Sequence, residues 1–187
     1  MPIPTPPVRR SEAAPALARV QALLRVLRSL VLPLAVALLA FTVDLAPAWA
    51  EFQGVDYTLT NQNGQDFSGQ QLAQTSFAGA QGRGARFAGA DLHGAILTQA
   101  AFPKADFSGA DLSDVLMDKV DFSGANFHNA VLRGVIASGS SFSGADVTGA
   151  DFSDALIDRA DQRALCRDAS GTNPTTGVDT RLSLNCG

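Results

Sequence analysis

The chain has 187 residues, 46% of them apolar and 17% charged, with a net charge of −4. This is too apolar for a disordered polymer, and long enough for one domain plus a targeting segment. Residues 1–50 hold five arginines against Glu12 and Asp44, which leaves a net charge of −7 on residues 51–187. With Lys104 and Lys119 as its only lysines, the acidic body excludes nucleic acid as an expected ligand, because phosphate binding needs clustered Lys and Arg.

In chain order, the first feature is an address. Leu30 to Val43 form a 14-residue apolar run preceded by arginines. It is shorter than the roughly 20 residues of a membrane span. Ala46-Pro47-Ala48-Trp49-Ala50 follows, with small residues where a signal peptidase reads them. The pattern predicts a secretory signal over residues 1–50, cleaved between Ala50 and Glu51. Glu rather than Cys at 51 argues against a lipid anchor. Arg9-Arg10 lies too far from the apolar run to favour the twin-arginine route. The competing reading is an uncleaved N-terminal anchor helix. On either reading the body is exported; with the signal cleaved, the mature chain is expected to carry no membrane span.

Residues 51–64 are read as a lead, in which Val55-Asp56-Tyr57-Thr58-Leu59 begins an imperfect first coil. From Gln65 to Arg159 the chain divides without a slip into nineteen five-residue blocks, such as Ala105-Asp106-Phe107-Ser108-Gly109. The third residue is Phe, Leu, Ile, Met or Val in seventeen of them, with Gly82 and Ala137 as exceptions. The first is usually Ala, the second often Asp or Asn, and the fifth often Gly. Third positions spaced by 20 sort into columns: Phe67, Phe87, Phe107, Phe127, Val147; Leu72, Leu92, Leu112, Leu132, Phe152; Gly82, Phe102, Phe122, Phe142; and a mixed one, Phe77, Leu97, Met117, Ala137, Ile157. Spacing by 15 scrambles them. Like stacks on like only if four blocks close one turn, with first and third residues inward and the others outward.

This pattern resembles the pentapeptide-repeat family, whose consensus block is A(D/N)LXX. The resemblance implies an all-β fold, a right-handed quadrilateral β-helix of four blocks per 20-residue coil, here nearly five coils over residues 65–159. The layout of signal, short rod and two-cysteine C-terminus resembles the exported pentapeptide-repeat proteins of the thylakoid lumen in cyanobacteria and chloroplasts.

After Arg159 the blocks stop. Residues 160–168 have helical composition and read as a capping helix, followed by a polar tail to Gly187. Cys166 and Cys186 are the only cysteines. In an exported chain such a pair reads as a disulfide stapling the tail to the cap. A reversible redox switch is the functional alternative, but no CxxC suggests an activated thiolate.

Little chemistry is legible. His93 and His128 fall on different sides of the four-block coil and cannot share a metal. The second-position aspartates Asp91 and Asp111 lie one above the other, with Asp106 and Asp146 on the preceding side, but the repeat already accounts for them as partners of the corner backbone. A filled shaft has no cleft for catalysis. No catalytic, cofactor-binding or metal-binding residue is therefore assigned. One outward column breaks the polar rule: Ile96, Leu116, Ile136 and Leu156 occupy second positions in successive coils. An ordered apolar patch marks a contact surface. The stripe is covered by the chain's own tail or lead, serves a homodimer seam or protein partner, or stands bare.

The expected function is a non-catalytic structural or protein-interaction module of the thylakoid lumen or a periplasm. The alternative is a DNA-mimicking topoisomerase inhibitor, a role the resemblance ties to long acidic rods in the cytoplasm. An enzyme using the stacked aspartates is the third reading.

Overall fold

The structure, a computed structural model, describes residues 55–187; the predicted signal and the Ala50–Glu51 cleavage site lie outside the described residues. Each block makes one side of a coil. Its first three residues are extended, and its fourth and fifth turn the corner. The third carbonyl accepts from the next block's first N–H, as in Ala80 N to Phe77 O at 2.9 Å and Ala90 N to Phe87 O at 3.0 Å. The fifth residue has φ near +65°, for example 65° at Gly69 and 64° at Gly109, which is why glycine recurs there.

Coils pair as parallel strands 20 residues apart. One column runs Asp66, Arg86, Asp106, Asn126, Asp146, and three others begin at Asp56, Asn61 and Gln71. The third N–H donates to the second carbonyl one coil on (Phe87 N to Asp106 O, 2.6 Å). The second N–H donates to the first carbonyl one coil back (Arg86 N to Gln65 O, 2.9 Å). The result is a β-helix of five four-sided coils, Val55–Gln74 to Val135–Asp154, and a further side from Ala155. Two short strands stand out on one side, β1 (Ile136–Ala137) and β2 (Leu156–Ile157), paired parallel as Ile136 with Leu156 and Ala137 with Ile157.

The shaft is filled by third-position side chains, with small first-position residues beside them; Phe87, Leu92, Phe107, Leu112 and Phe127 are fully buried. Phe67, Phe87, Phe107 and Phe127 stack with ring centroids 4.9, 4.9 and 5.2 Å apart. Those distances are close to the spacing of paired strands, about 4.8 Å. Gly82 is not a defect in the column of Phe102, Phe122 and Phe142. The Phe102 ring lies over it, and a Cβ built there would collide with that ring.

The C-terminal end is closed by α1 (Arg159–Asp168), α2 (Thr180–Ser183) and the segment between them. Leu165 and Leu184 join the core over the last coil. The final strand edges are met by the cap: Gly149 N donates to Ser170 O at 2.7 Å, and Phe152 N to Ser183 Oγ at 3.0 Å. These bonds remove the exposed edge that would otherwise template association.

Candidate functional site

The second residue of each block lies between two inward-pointing neighbours and must face out. On three sides these positions are mostly polar. On the fourth, the ladder joins Ile96 to Leu116, Leu116 to Ile136 and Ile136 to Leu156, so the four apolar side chains stand in one file. Ile96 and Ile136 are half-buried, while Leu116 and Leu156 are 39% and 61% exposed. At the cap the file reaches a cleft lined by Phe152, Leu156, Ile157 and Leu184.

The lead before Val55, one cover expected for this file, lies outside the described residues, and the C-terminal tail, the other, leaves Leu116 and Leu156 exposed. The tail lies against another side. The Asn173 amide donates to the carbonyls of Asn129 (3.2 Å), Ala130 (3.0 Å) and Gly149 (2.9 Å), and its Oδ1 accepts from Thr175 N at 2.9 Å and Thr176 N at 3.0 Å. Asn173 is fully buried, as is Asp151, and Val131 is nearly so. Sequence reasoning missed this contact. Val131 carried its signal, being a further apolar residue at an outward second position. Asn173 carried none, because its partners are main-chain carbonyls. Cys166 and Cys186 are joined as a disulfide with Cα atoms 5.6 Å apart, and Arg181 Nη1 donates to Cys166 O at 2.7 Å.

The stacked aspartates are occupied locally. Asp91 Oδ1 accepts from His93 N at 3.1 Å, Asp111 Oδ1 from Ser113 N at 2.9 Å, and Asp106 Oδ1 from Ser108 N at 3.0 Å. Each closes a small turn two residues ahead and fixes the corner. The same bond from Thr148 N, aided by the charge of His128, holds the Asp146 carboxyl below the ordinary aspartate range despite partial burial. The Ser68 hydroxyl, and then the Ser68 N–H, hold the Asp66 carboxyl below the ordinary aspartate range. None of these carboxylates faces a pocket with a second catalytic group. His93 Nδ1 approaches Asp114 Oδ2 at 4.0 Å, and His128 lies at a different corner. Among the described residues no group of three or more His, Cys, Asp or Glu is placed to hold a metal ion, and no helix is long and apolar enough to cross a membrane. The candidate site that this geometry leaves is the outward file of Ile96, Leu116, Ile136 and Leu156.

Comparison with known proteins agrees with the coil. The pentapeptide-repeats family model matches eight copies over residues 66–99, 83–117 and 116–154. A pentapeptide repeat protein from the thylakoid lumen of Arabidopsis thaliana superposes with a TM-score of 0.69 at 38% identity, over 70% of this chain and 91% of that one. The pentapeptide repeat protein Rfr23 of the cyanobacterium Cyanothece 51142 shares the fold, with a TM-score of 0.51 at 18% identity over 52% of this chain and 80% of that one. A 26-residue stretch is 69% identical to the chloroplastic thylakoid lumenal protein TL20.3 of Arabidopsis thaliana; it spans 14% of this chain but 9% of that protein's length. With its register of five-residue blocks, its 20-residue coil and a 38% identical relative matched over nine-tenths of its length, the chain belongs to the pentapeptide-repeat family.

Proposed function

We propose that this protein is a non-catalytic interaction module of an exported, oxidising compartment, a thylakoid lumen or a periplasm, and that it binds a protein partner through the side bearing Ile96, Leu116, Ile136 and Leu156. The observation that carries this reading is the open file itself. Leu116 and Leu156 keep large apolar surface in solvent although the repeat default at their position is polar. The lumenal relative and the disulfide support the compartment. Locally occupied aspartates and a filled shaft support the absence of catalysis.

The test is Leu116→Asp. An outward side chain makes little contact with the shaft, so the change should move the melting temperature by no more than surface substitutions do, about 0.5 kcal/mol in stability. Affinity capture from the protein's own compartment should then retain a partner with the wild type and lose it with the variant. Equal capture by both would overturn the assignment of this face.

A further inference from the structure

The file is not uniform. The stretch Asp114-Val115-Leu116-Met117-Asp118-Lys119 returns two coils later as Asp154-Ala155-Leu156-Ile157-Asp158-Arg159. Each exposed leucine therefore has an aspartate two residues before it and another two residues after it. In the alternate coils the same places are taken by Gly94 and Thr98 around Ile96, and by Gly134 and Ser138 around Ile136. The rows next to the apolar file thus carry four carboxylates and no base. Lys119, Arg159, Arg133 and His93 lie one residue further out, Arg133 at a corner it shares with Asp114 and Asp154, and His93 with its Nδ1 4.0 Å from Asp114 Oδ2. Asp118 Oδ1 accepts from Ser138 N at 3.1 Å and Asp158 Oδ2 from Gly139 N at 2.8 Å, which fixes these two carboxylates on the side of the file.

From this pattern we infer that the occupant of the face is an amphipathic α-helix of a protein partner, lying along the rod, with Lys or Arg on both sides of its apolar stripe. The inference rests on the file being the interaction face. Spacing selects the helix. The exposed leucines are two coils apart, joined through Ile136 in the ladder, and paired strands lie about 4.8 Å apart, or about 10 Å for two coils. Seven residues of α-helix rise about 10.5 Å, so positions i and i+7 would meet Leu116 and Leu156, with i+3 or i+4 over Ile136. An extended strand repeats its face about every 6.7 Å and would fall out of step. Charge selects the flanks. Basic side chains beside the helix's apolar stripe meet the aspartate rows before reaching Lys119 or Arg159. A second copy of this chain suits the face poorly, since its own inner rows carry the same four aspartates. The file is also one residue wide, far below the roughly 800 Å² per partner of a standard interface, whereas a helix laid along it adds its flanks to the contact.

A display library of helix-forming peptides about 18 residues long tests this, selected on the disulfide-intact protein and counter-selected on Leu116→Asp/Leu156→Asp. The inference expects enriched peptides with apolar residues at i, i+3 or i+4 and i+7 and with Lys or Arg beside them. Their affinity should fall about tenfold on the variant with Asn at positions 114, 118, 154 and 158, and should weaken with salt. Leucine-dependent peptides that are extended, acidic or indifferent to the four Asn changes would overturn the helix while leaving the face intact. Wild-type self-association abolished by Leu116→Asp in sedimentation would put a second copy there instead. Failure to enrich any peptide that distinguishes the wild type from the double-Asp variant would sink the interaction face and this inference with it.

Discussion

At the residue scale, the second-position aspartates of this protein serve the corners of its coils. Asp146 takes the Thr148 N–H at 2.9 Å, and that bond, with His128 nearby, keeps its carboxyl below the ordinary aspartate range. A carboxyl lowered by folding adds stability above its unfolded value, near pH 4, and that stability is lost as pH falls through the folded value. Asn keeps an acceptor oxygen for the same N–H but does not titrate. Asp146→Asn should therefore fold normally at neutral pH and show a shallower loss of melting temperature between about pH 4 and pH 2 than the wild type. Identical acid limbs would show that the bond does not favour the charged form.

At the scale of elements, the cap is held by few groups, and Asn173 is the one with most partners. Its amide spans three carbonyls of the coil, at Asn129, Ala130 and Gly149, while its Oδ1 closes a turn in the tail. Asn173→Asp keeps the size and the turn acceptor but replaces the donors with carboxylate oxygens facing three carbonyls. Burying that mismatch should cost on the order of 3 kcal/mol. Because the coils below are held by their own ladders, the loss should be confined to residues near the tail. Hydrogen exchange should rise at Gly149, Thr180 and Leu184 and stay protected at Phe87 and Phe107. Uniform loss of protection would mean the cap is needed for the rod as a whole.

On the whole-molecule scale, most of the fold was legible because one rule acts on every block. Burial at the third position leaves Phe over Phe and Leu over Leu in three of the four columns at a spacing of 20, and a spacing of 15 scrambles them. The file at Ile96, Leu116, Ile136 and Leu156 was legible for the complementary reason, since an outward position has a polar default and four departures in step are a pattern. Other parts were not. Gly82 reads as an empty block, yet the Phe102 ring of the next coil lies over it, a packing that depends on a rotamer and not on composition. The side the tail takes could not be read either, because Asn173 recognises backbone carbonyls, which every residue has. The aspartates around Leu116 and Leu156 were visible in the sequence all along. They became informative once the rise per coil placed the two leucines one helical heptad apart.

The central claim, that this side of the rod meets a protein partner, is tested most directly by site-specific photo-crosslinking in the native compartment. A photoreactive side chain at position 116 should give a discrete adduct with a partner protein. The same group at position 106, in the opposite column of second residues, should give none. Adducts of equal yield from both positions, or from 106 alone, would contradict the account.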